Sequence, residues 1–246
     1  VPYARYGETL LSVTAQIEAL GAVGRSDLAE ELPAGAARNA VDCALWDLDA
    51  KTAGVRVSNM IGLSVLGPEI TAYTLSLDTP EAMQVQAALN AFRPLLKIKL
   101  GTPNDMPRLE AVRRGAPKAR IIVDANEGWS AEVYSDLAPH LVRLGVELVE
   151  QSLPVAEDHA LLGLDRPVPV CADESCHDSS SLINMKGKYD SANINLHKTG
   201  GHTEALALRD AARASGFGIM VCCMVCSSLA MAPSVLVEQV SLSIVL

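Results

Sequence analysis

The chain has 246 residues and a formal net charge of −9, with no run rich in Lys and Arg, which argues against nucleic acid as its main partner. Its hydrophobic share of 49% and charged share of 20% are those of an ordinary globular protein, large enough for one domain with a cap. No apolar segment reaches the ~18 uncharged residues of a membrane span and no signal peptide opens the chain, so we expect a cytoplasmic protein that does not bind membranes.

Residues 1–66 predict helices but no strands. The stretch GETLLSVTAQIEAL (7–20) has the pattern of an amphipathic helix. A second helix is predicted over PAGAARNAVDCALWDLDAKTAG, where Pro33 precedes its start and Gly54 marks its stop. Two helices without a sheet of their own indicate a partial N-terminal capping region. Because the chain opens abruptly at VPYARYGE, we expect more of this cap upstream.

From residue 67 onward, short β-branched runs alternate with helical segments. Strands that are apolar on both faces and alternate with helices predict a parallel sheet covered by helices. Eight such units favour a (β/α)₈ TIM-type barrel over 67–246, the expected catalytic domain. No GxGxxG or GxxxxGK[ST] motif follows a strand, which disfavours a nucleotide-binding doubly wound fold. The predicted strands are 69–77, 95–100, 120–125, 146–151, 168–174, 192–197, 218–224 and 240–246.

Three of the six cysteines crowd into the apolar run VCCMVCSS (221–228), where Cys223 and Cys226 form a CxxC pair. Such a pair suggests redox chemistry or zinc, but zinc needs a second pair of ligands that the sequence does not offer. We interpret the cysteines as small buried apolar residues in a reducing compartment.

Charged residues end the middle strands at intervals of one strand–helix unit. Lys99 ends the second strand, Asp124 the third, Glu150 the fourth and Asp173 the fifth, and consecutive members lie 23 to 26 residues apart. These regular intervals predict that the four residues lie at one level at the C-terminal mouth of the barrel, where active sites are built. Three converging carboxylates repel one another unless a cation joins them, and oxygen ligands suit Mg²⁺.

Lys97 and Lys99 lie two residues apart and therefore on one face of their strand. Lysines are rarely buried without a task, and a lysine beside another cation can lose its proton and act as a base near neutral pH. A metal that binds a substrate carboxylate, together with a lysine base, indicates removal of the proton α to that carboxylate. The metal would hold the resulting enediolate.

Five segments resemble the enolase superfamily, in the order and spacing of its muconate-cycloisomerase-like subgroup. The whole chain is most similar to bacterial dipeptide epimerases, the L-Ala-D/L-Glu epimerases, also through PAGAARNAVDCALWDL and KTGGHTEALAL. The five segments are KIK (97–99), VDANEGW (123–129), VEQSLP (149–154), CADESCH (171–177) and NINLHKTGG (193–201).

The resemblance implies a role for each matching residue. It implies Mg²⁺ at Asp124, Glu150 and Asp173, with Lys99 as an acid/base on one face of the substrate α-carbon and Lys97 holding the substrate carboxylate. The resemblance further implies a small-molecule substrate such as L-Ala-L-Glu, and it leaves a homo-oligomer open.

Three further residues acquire secondary roles by the same resemblance. Thr74 matches a threonine that contacts the substrate, and Glu174 resembles a partner of the lysine on the opposite face. Asn126 matches an asparagine that makes a secondary polar contact.

Departures from the family pattern affect the stereochemistry. Asn195 occupies the position of the second catalytic lysine, and His197 that of an aspartate two residues later. An amide cannot carry a proton to or from carbon. On the eighth strand, an ungapped comparison puts Ile244 and Leu246 at the two acids that bind the dipeptide ammonium. The β-rich part of the cap is also absent from the sequence.

Three interpretations therefore remain open. The chain is a dipeptide epimerase whose sequence is incomplete or locally wrong, a one-base enzyme such as a cycloisomerase or a syn-eliminating enzyme that uses Lys99 alone, or a non-catalytic relative that binds metal or ligand. His197 is a substitute base or a polar residue at the rim of the barrel, on the strand face of Asn195.

Overall fold

The computed structural model describes residues 6–63, 65–239 and 244–245, and its strands and helices alternate as in an α/β fold. Each of the eight predicted segments contains a strand. Of the last segment, residues 240–243 and 246 lie outside the described residues. The strands are β1 Tyr73–Leu75, β2 Leu95–Lys99, β3 Arg120–Asp124, β4 Val146–Glu150, β5 Val170–Ala172, β6 Ser191–Asn195, β7 Gly218–Cys222 and β8 Ile244–Val245.

Local sequence explains where several helices begin and end. The side chains of Thr9, Thr79 and Ser130 each accept a hydrogen bond from the backbone N–H three residues further on, as N-caps do. Gly54 ends α3 with φ 67°, as predicted. The helices are α1 Leu10–Ala19, α2 Leu28–Glu31, α3 Ala36–Ala53, α4 Val57–Met60, α5 Pro80–Leu89, α6 Met106–Gly115, α7 Ala131–Arg143, α8 Leu182–Met185, α9 Leu196–Thr199, α10 His202–Ala214 and α11 Ser228–Glu238.

The described residues form two compact units. The first unit takes in the residues up to 69 together with 177–180 and 194–239, and the second comprises 70–176, 181–193 and 244–245. The boundary at residue 66 between a cap and a barrel domain stays a prediction. Within the described ranges, no helix is long and apolar enough to cross a membrane.

In the second unit, β1 to β6 pair in parallel and in the order of the chain. The central strands are apolar on both faces, so Leu95, Ile98 and Ile122 are fully buried, as a helix-covered parallel sheet requires. The ladder sets Lys99 opposite Asp124, and Asp124 opposite Glu150. The ends of β2, β3 and β4 therefore lie side by side at one edge of the sheet.

The first unit contains the two helices predicted within residues 1–66. They share an apolar core in which Val13 of α1 and Leu28 of α2 pack with Ala37 of α3. Asp42 of α3 is also buried, and its carboxylate accepts hydrogen bonds from the backbone N–H (2.9 Å) and the hydroxyl (2.6 Å) of Thr203. The hydrogen bonds between Asp42 and Thr203 thus add a polar contact to the apolar packing of α3.

Candidate active site

A buried ion network occupies the edge where β2, β3 and β4 end. The Nζ atom of Lys97 lies 2.9 Å from Oδ2 of Asp124 and 2.5 Å from Oε2 of Glu150. Lys99 Nζ lies 2.6 Å from the same Asp124 oxygen. The two lysines share one side of β2 because side chains alternate along a strand. The structure therefore brings together Lys99, Asp124 and Glu150, three of the four residues whose spacing predicted a common level.

The two carboxylates of this network are almost completely shielded from solvent, with 1% of each side chain exposed. Burial raises the pKa of Glu150 to about 8, Lys97 opposes the rise, and the negative charges of Asp124 and Asp173 add to it. Burial of like charges in so small a volume is stable only with compensating positive charge. In this structure, lysine ammonium groups provide that charge.

Asn193 joins the carboxylate at the end of β4 to the one that follows β5. Its Nδ2 atom donates to Oε1 of Glu150 at 2.7 Å and to Oδ1 of Asp173 at 3.2 Å, and the side chain is fully buried. We did not predict this residue as part of the site. Its signal in the sequence is a polar side chain on an otherwise apolar buried strand, two residues before Asn195.

Asn126 and Glu174 continue the network beyond the strand ends. Lys99 Nζ donates to Oδ1 of Asn126 at 2.8 Å, and Nδ2 of Asn126 donates to Oε1 of Glu174 at 3.4 Å. The backbone N–H of Asn126 donates to Oδ1 of Asp124 at 2.9 Å. Asn126 is thus a direct neighbour of the proposed base, whereas the predicted partnership of Glu174 with a lysine on the opposite face stays a prediction.

The loops after β3 and β4 contain left-handed residues that are not glycine. Asn126 has φ 44°, Glu127 has φ 66° and Gln151 has φ 34°. Residues other than glycine rarely adopt this backbone conformation, and it persists only where surrounding contacts enforce it. These residues lie within three positions after Asp124 or Glu150 in the chain, so the backbone strain lies at the candidate site.

The donor set fits a hard divalent cation. Asp124, Glu150 and Asp173 offer carboxylate oxygens, the ligand type that Mg²⁺ prefers, and the raised pKa of Glu150 marks a site that favours added positive charge. In the part of the chain that the structure describes, no three acidic, His or Cys groups are gathered as a ready-made metal cage. The Lys97 ammonium instead bridges two of the three carboxylates.

Thr74 lies on β1 opposite Lys97 in the parallel ladder, and its side chain is exposed. The register places it beside the network, two residues below the row of Lys99 and Asp124. A contact with substrate stays a prediction for Thr74.

Asn195, in the first unit, is the last residue of β6 and the N-cap of α9. Its Oδ1 atom accepts from the backbone N–H of His197 at 3.0 Å, which turns the NH₂ group towards sulfur. That group donates to Sγ of Cys222 at 3.4 Å and to Sδ of Met224 at 3.6 Å. The Asn195 side chain is therefore held by one backbone N–H and two sulfur atoms, and its own amide nitrogen cannot take up a proton.

The prediction that His197 continues the strand face of Asn195 was wrong. The strand stops at Asn195 and a helical turn begins at Leu196, because the Asn195 side chain caps that turn. His197 is also buried rather than at a rim: its Nε2 atom lies 2.8 Å from Oε2 of Glu8, and its ring stacks on Tyr6 at a centroid distance of 5.4 Å.

The six cysteines are all free thiols. Cys171 and Cys176 are buried as predicted, whereas Cys43 and the three cysteines of the VCCMVCSS run are only partly buried, so the prediction of burial was wrong for these four. Burial and the neighbouring Cys226 thiol raise the pKa of Cys223 to about 11. A thiol with so high a pKa is a poor nucleophile, which agrees with the interpretation of the CxxC pair as structural.

Comparisons with known proteins give a consistent result. Residues 80–243 match the family model "Enolase C-terminal domain-like", and residues 10–62 match "Mandelate racemase / muconate lactonizing enzyme, N-terminal domain". The L-Ala-D/L-Glu epimerase of Escherichia coli (strain K12) is 46% identical, with 98% of this chain and 77% of that protein covered. The N-acetyl-D-glutamate racemase of Pseudoalteromonas sp is 44% identical, with 97% and 78% covered.

Solved structures show the same relationship. An enolase family member from Agrobacterium tumefaciens with homology to dipeptide epimerases, with bound sodium and L-Ala-L-Glu, has a TM-score of 0.96 and 48% identity and covers 100% of this chain and 77% of its own. The dipeptide epimerase of Enterococcus faecalis V583, complexed with Mg and L-Leu-L-Tyr, has a TM-score of 0.86 and 26% identity, with 97% and 73% covered.

Proposed function

Because this chain belongs to the enolase superfamily, we propose that it is an Mg²⁺-dependent isomerase that removes the proton α to a substrate carboxylate and epimerises a dipeptide such as L-Ala-L-Glu. The observation that carries the proposal is the buried network of Lys97, Lys99, Asp124 and Glu150 at the ends of three neighbouring strands. Two amines and two carboxylates in this arrangement suit proton transfer beside a bound anion.

The fold proposed for this activity is a closed (β/α)₈ barrel over 67–246 with a partial cap over 1–66. The parallel pairing of β1 to β6 in chain order supports it, as do the solved relatives. A cytoplasmic location and a homo-oligomer remain predictions.

We propose that Asp124, Glu150 and Asp173 hold the Mg²⁺, which would supply positive charge to stabilise the enediolate oxygens. Lys97 at present neutralises two of these carboxylates. A cation and the Lys97 ammonium need the same oxygens, so metal binding would release Lys97 from them. The freed ammonium is then available to bind the substrate carboxylate.

Lys99 is the proposed acid/base. Its side chain is one-third exposed, so a substrate can reach the amine, and contacts with Asp124 and Asn126 hold Nζ in place. As a base, the amine takes the α-proton, and the electron pair of the broken C–H bond moves into the carboxylate. As an acid, the same nitrogen returns a proton to the same face of the carbon.

Inversion of the stereocentre requires a second acid/base on the opposite face of the carbon. Asn195 stands where the family pattern has a second lysine, and its amide cannot carry the proton. His197 is no simple substitute, because its imidazole is engaged by Glu8 and Tyr6. This observation favours, as a second candidate function, a one-base enzyme that exchanges the α-proton without inversion; a non-catalytic binding relative is the third.

The names of two relatives restrict the chemical class of substrate that we propose for this protein. A dipeptide that ends in glutamate and N-acetyl-glutamate share a glutamate α-carbon that carries a free carboxylate and an acylated nitrogen. Those are the substrate types in the names of two close relatives. We therefore propose N-acylated glutamates, dipeptides included, as the substrates to test first.

The test is NMR of the purified protein with Mg²⁺ and L-Ala-L-Glu in D₂O. Deuterium exchange with inversion at the glutamate α-carbon would establish the epimerase. Exchange without inversion would establish the one-base enzyme, and bound metal without exchange of any dipeptide or N-acetyl-glutamate would favour the binding relative.

A further inference from the structure

Gln151 follows Glu150 directly and is fully buried in a left-handed conformation with φ 34°. A glutamine in that conformation is strained, because its Cβ crowds the backbone. Strain of this kind persists where surrounding contacts impose it, and it concentrates at functional sites.

The backbone of Gln151 joins the segments that carry the other two candidate ligands. Its N–H donates to the carbonyl oxygen of Cys171 in β5 at 2.9 Å, and its carbonyl oxygen accepts from the N–H of Glu127, after β3, at 2.9 Å. One residue thus connects the ends of three neighbouring strands.

The side chain holds the segment after β5. Its Oε1 atom accepts from the backbone N–H of Asp173 at 2.9 Å and of Ser175 at 3.1 Å. Because β5 ends at Ala172, Asp173 lies beyond the sheet ladder. The hydrogen bond that the Asp173 N–H donates to Gln151 is therefore a main constraint on the position of the Asp173 backbone.

A second layer of polar groups fixes the orientation of the Gln151 amide. Nε2 lies 3.0 Å from three acceptors that share its two hydrogens, the carbonyl oxygen of Leu153, Oγ of Ser175 and Oη of Tyr189. Ser175 and Tyr189 in turn donate to Oδ2 of Asp158 at 2.8 and 3.0 Å. Burial raises the pKa of Tyr189, which keeps the phenol protonated as a donor.

We propose that Gln151 is a positioning residue that sets the relative placement of Asp124, Glu150 and Asp173 and thereby the affinity for the divalent cation. The inference rests on the proposed function, because it assigns these carboxylates to the metal. Residues that orient metal ligands typically change metal affinity by about 10- to 100-fold when they are replaced.

The experiment compares Gln151→Met with Ser175→Ala by calorimetric titration with Mg²⁺. Q151M keeps the side-chain length but removes the acceptor for Asp173, and we expect it to raise the Kd at least 10-fold. S175A removes a hydroxyl of the same network but leaves the bond to the Asp173 N–H, and we expect a Kd within about threefold of the wild type. Equal effects of both variants on the Kd would reduce Gln151 to a structural residue and overturn the proposal.

A measurement without metal separates this inference from the proposed function. In the metal-free protein, Q151M should accelerate hydrogen exchange of the Asp173 and Ser175 amides relative to core amides of β3. Unchanged protection would overturn the positioning role. Absence of Mg²⁺ binding in the wild type would instead refute the proposed metal site, and the amide exchange would still decide whether Gln151 positions Asp173.

If Q151M does not fold, Gln151→Glu serves in its place, because a carboxylate keeps an oxygen acceptor for both amides. We expect Q151E to retain the protection of Asp173 and Ser175. Loss of that protection in a folded Q151E protein would show that an oxygen acceptor at position 151 is not sufficient to hold these amides, against the proposal.

Discussion

Lys97 forms a buried ion pair with Asp124, with 2.9 Å between Nζ and Oδ2, although its own neighbour in the parallel ladder is Ile122, two residues earlier on β3. The lysine side chain therefore extends along the sheet towards the carboxyl ends of the strands. There it meets the same carboxylate oxygen that Lys99 contacts at 2.6 Å. Two ammonium groups on one oxygen indicate a site arranged around excess negative charge.

Replacement of Lys99 by alanine should abolish exchange of the substrate α-proton. Loss of a general base typically costs 10²- to 10⁴-fold in rate, and the carboxylates that bind the metal remain in place. The measurements are deuterium exchange by NMR and Mg²⁺ titration of the same K99A protein. Exchange at the wild-type rate in K99A would remove Lys99 from the mechanism.

Replacement of Lys97 by methionine should tighten Mg²⁺ binding, by roughly 10-fold, while activity is lost. The ammonium and the cation compete for oxygens of Asp124 and Glu150, and opposite charges interact strongly in a buried site. Calorimetric titration of K97M against the wild type at one pH checks this. The control is the same substitution at a surface lysine, Lys51→Met, where the lysine forms an exposed ion pair with Asp47 on α3. Weaker Mg²⁺ binding in K97M alone would contradict the competition.

Replacement of Asn195 by lysine should convert exchange without inversion into epimerisation, if the wild type shows only exchange. An amine at this position can carry the proton on the second face, whereas the amide cannot. A cavity of about 30 Å³ beside Asn195 and Met224 offers some room for the longer side chain. The ratio of diastereomers in the NMR spectrum gives the result. Asn195→Gln is the matched control, and inversion in that variant as well would rule out an amine as the cause.

The stability of the protein should fall on acidification because of His202. Burial, with Arg209 and Arg25 nearby, lowers the pKa of His202 to about 4. The folded state thus keeps the imidazole neutral at pH values where the unfolded chain, with a histidine pKa of ~6.5, takes up a proton. The stabilisation is complete above pH ~6.5 and is lost as the pH falls towards ~4, at about 1.4 kcal/mol per pH unit.

Urea unfolding of the wild type and of His202→Phe at pH 7 and pH 5 tests this prediction. The aromatic replacement retains a ring against Trp46, which meets the imidazole edge-on at 5.3 Å. The difference in unfolding free energy between the two pH values should shrink by about 2 kcal/mol in H202F. His159→Gln, on the surface, is the control; an equal pH dependence in H202F and the wild type would show that His202 is not the group responsible.

Strand–helix alternation and the spacing of charged residues were sufficient to predict the eight strands and the row of Lys99, Asp124 and Glu150. Both signals are periodic, and a parallel sheet converts sequence intervals directly into neighbours. Features that depend on single backbone angles were not accessible in this way. A left-handed Gln151 and its contact with the Asp173 backbone follow from tertiary packing, which no local pattern encodes.

The polar residues of β6 show, within one segment, which features the sequence could predict and which it could not. Asn193 and Asn195, two residues apart, are both buried, and Asn193 contacts the carboxylates although no role was predicted for it. The strand period of two does not extend to His197, because the Asn195 side chain caps a helical turn that begins at Leu196. The sequence alone does not distinguish an asparagine that caps a helix from an asparagine that lies in an active site.

The Lys97 bridge between Asp124 and Glu150 also bears on the order in which this protein is assembled. A metalloprotein whose acidic ligands have no internal counter-ion must wait for its metal before the core can close, as small zinc domains do. Here the polypeptide brings its own cation, so the chain can complete folding in metal-depleted surroundings and acquire the ion afterwards. Chelator treatment should therefore yield an inactive protein that is still folded and that regains its metal without refolding.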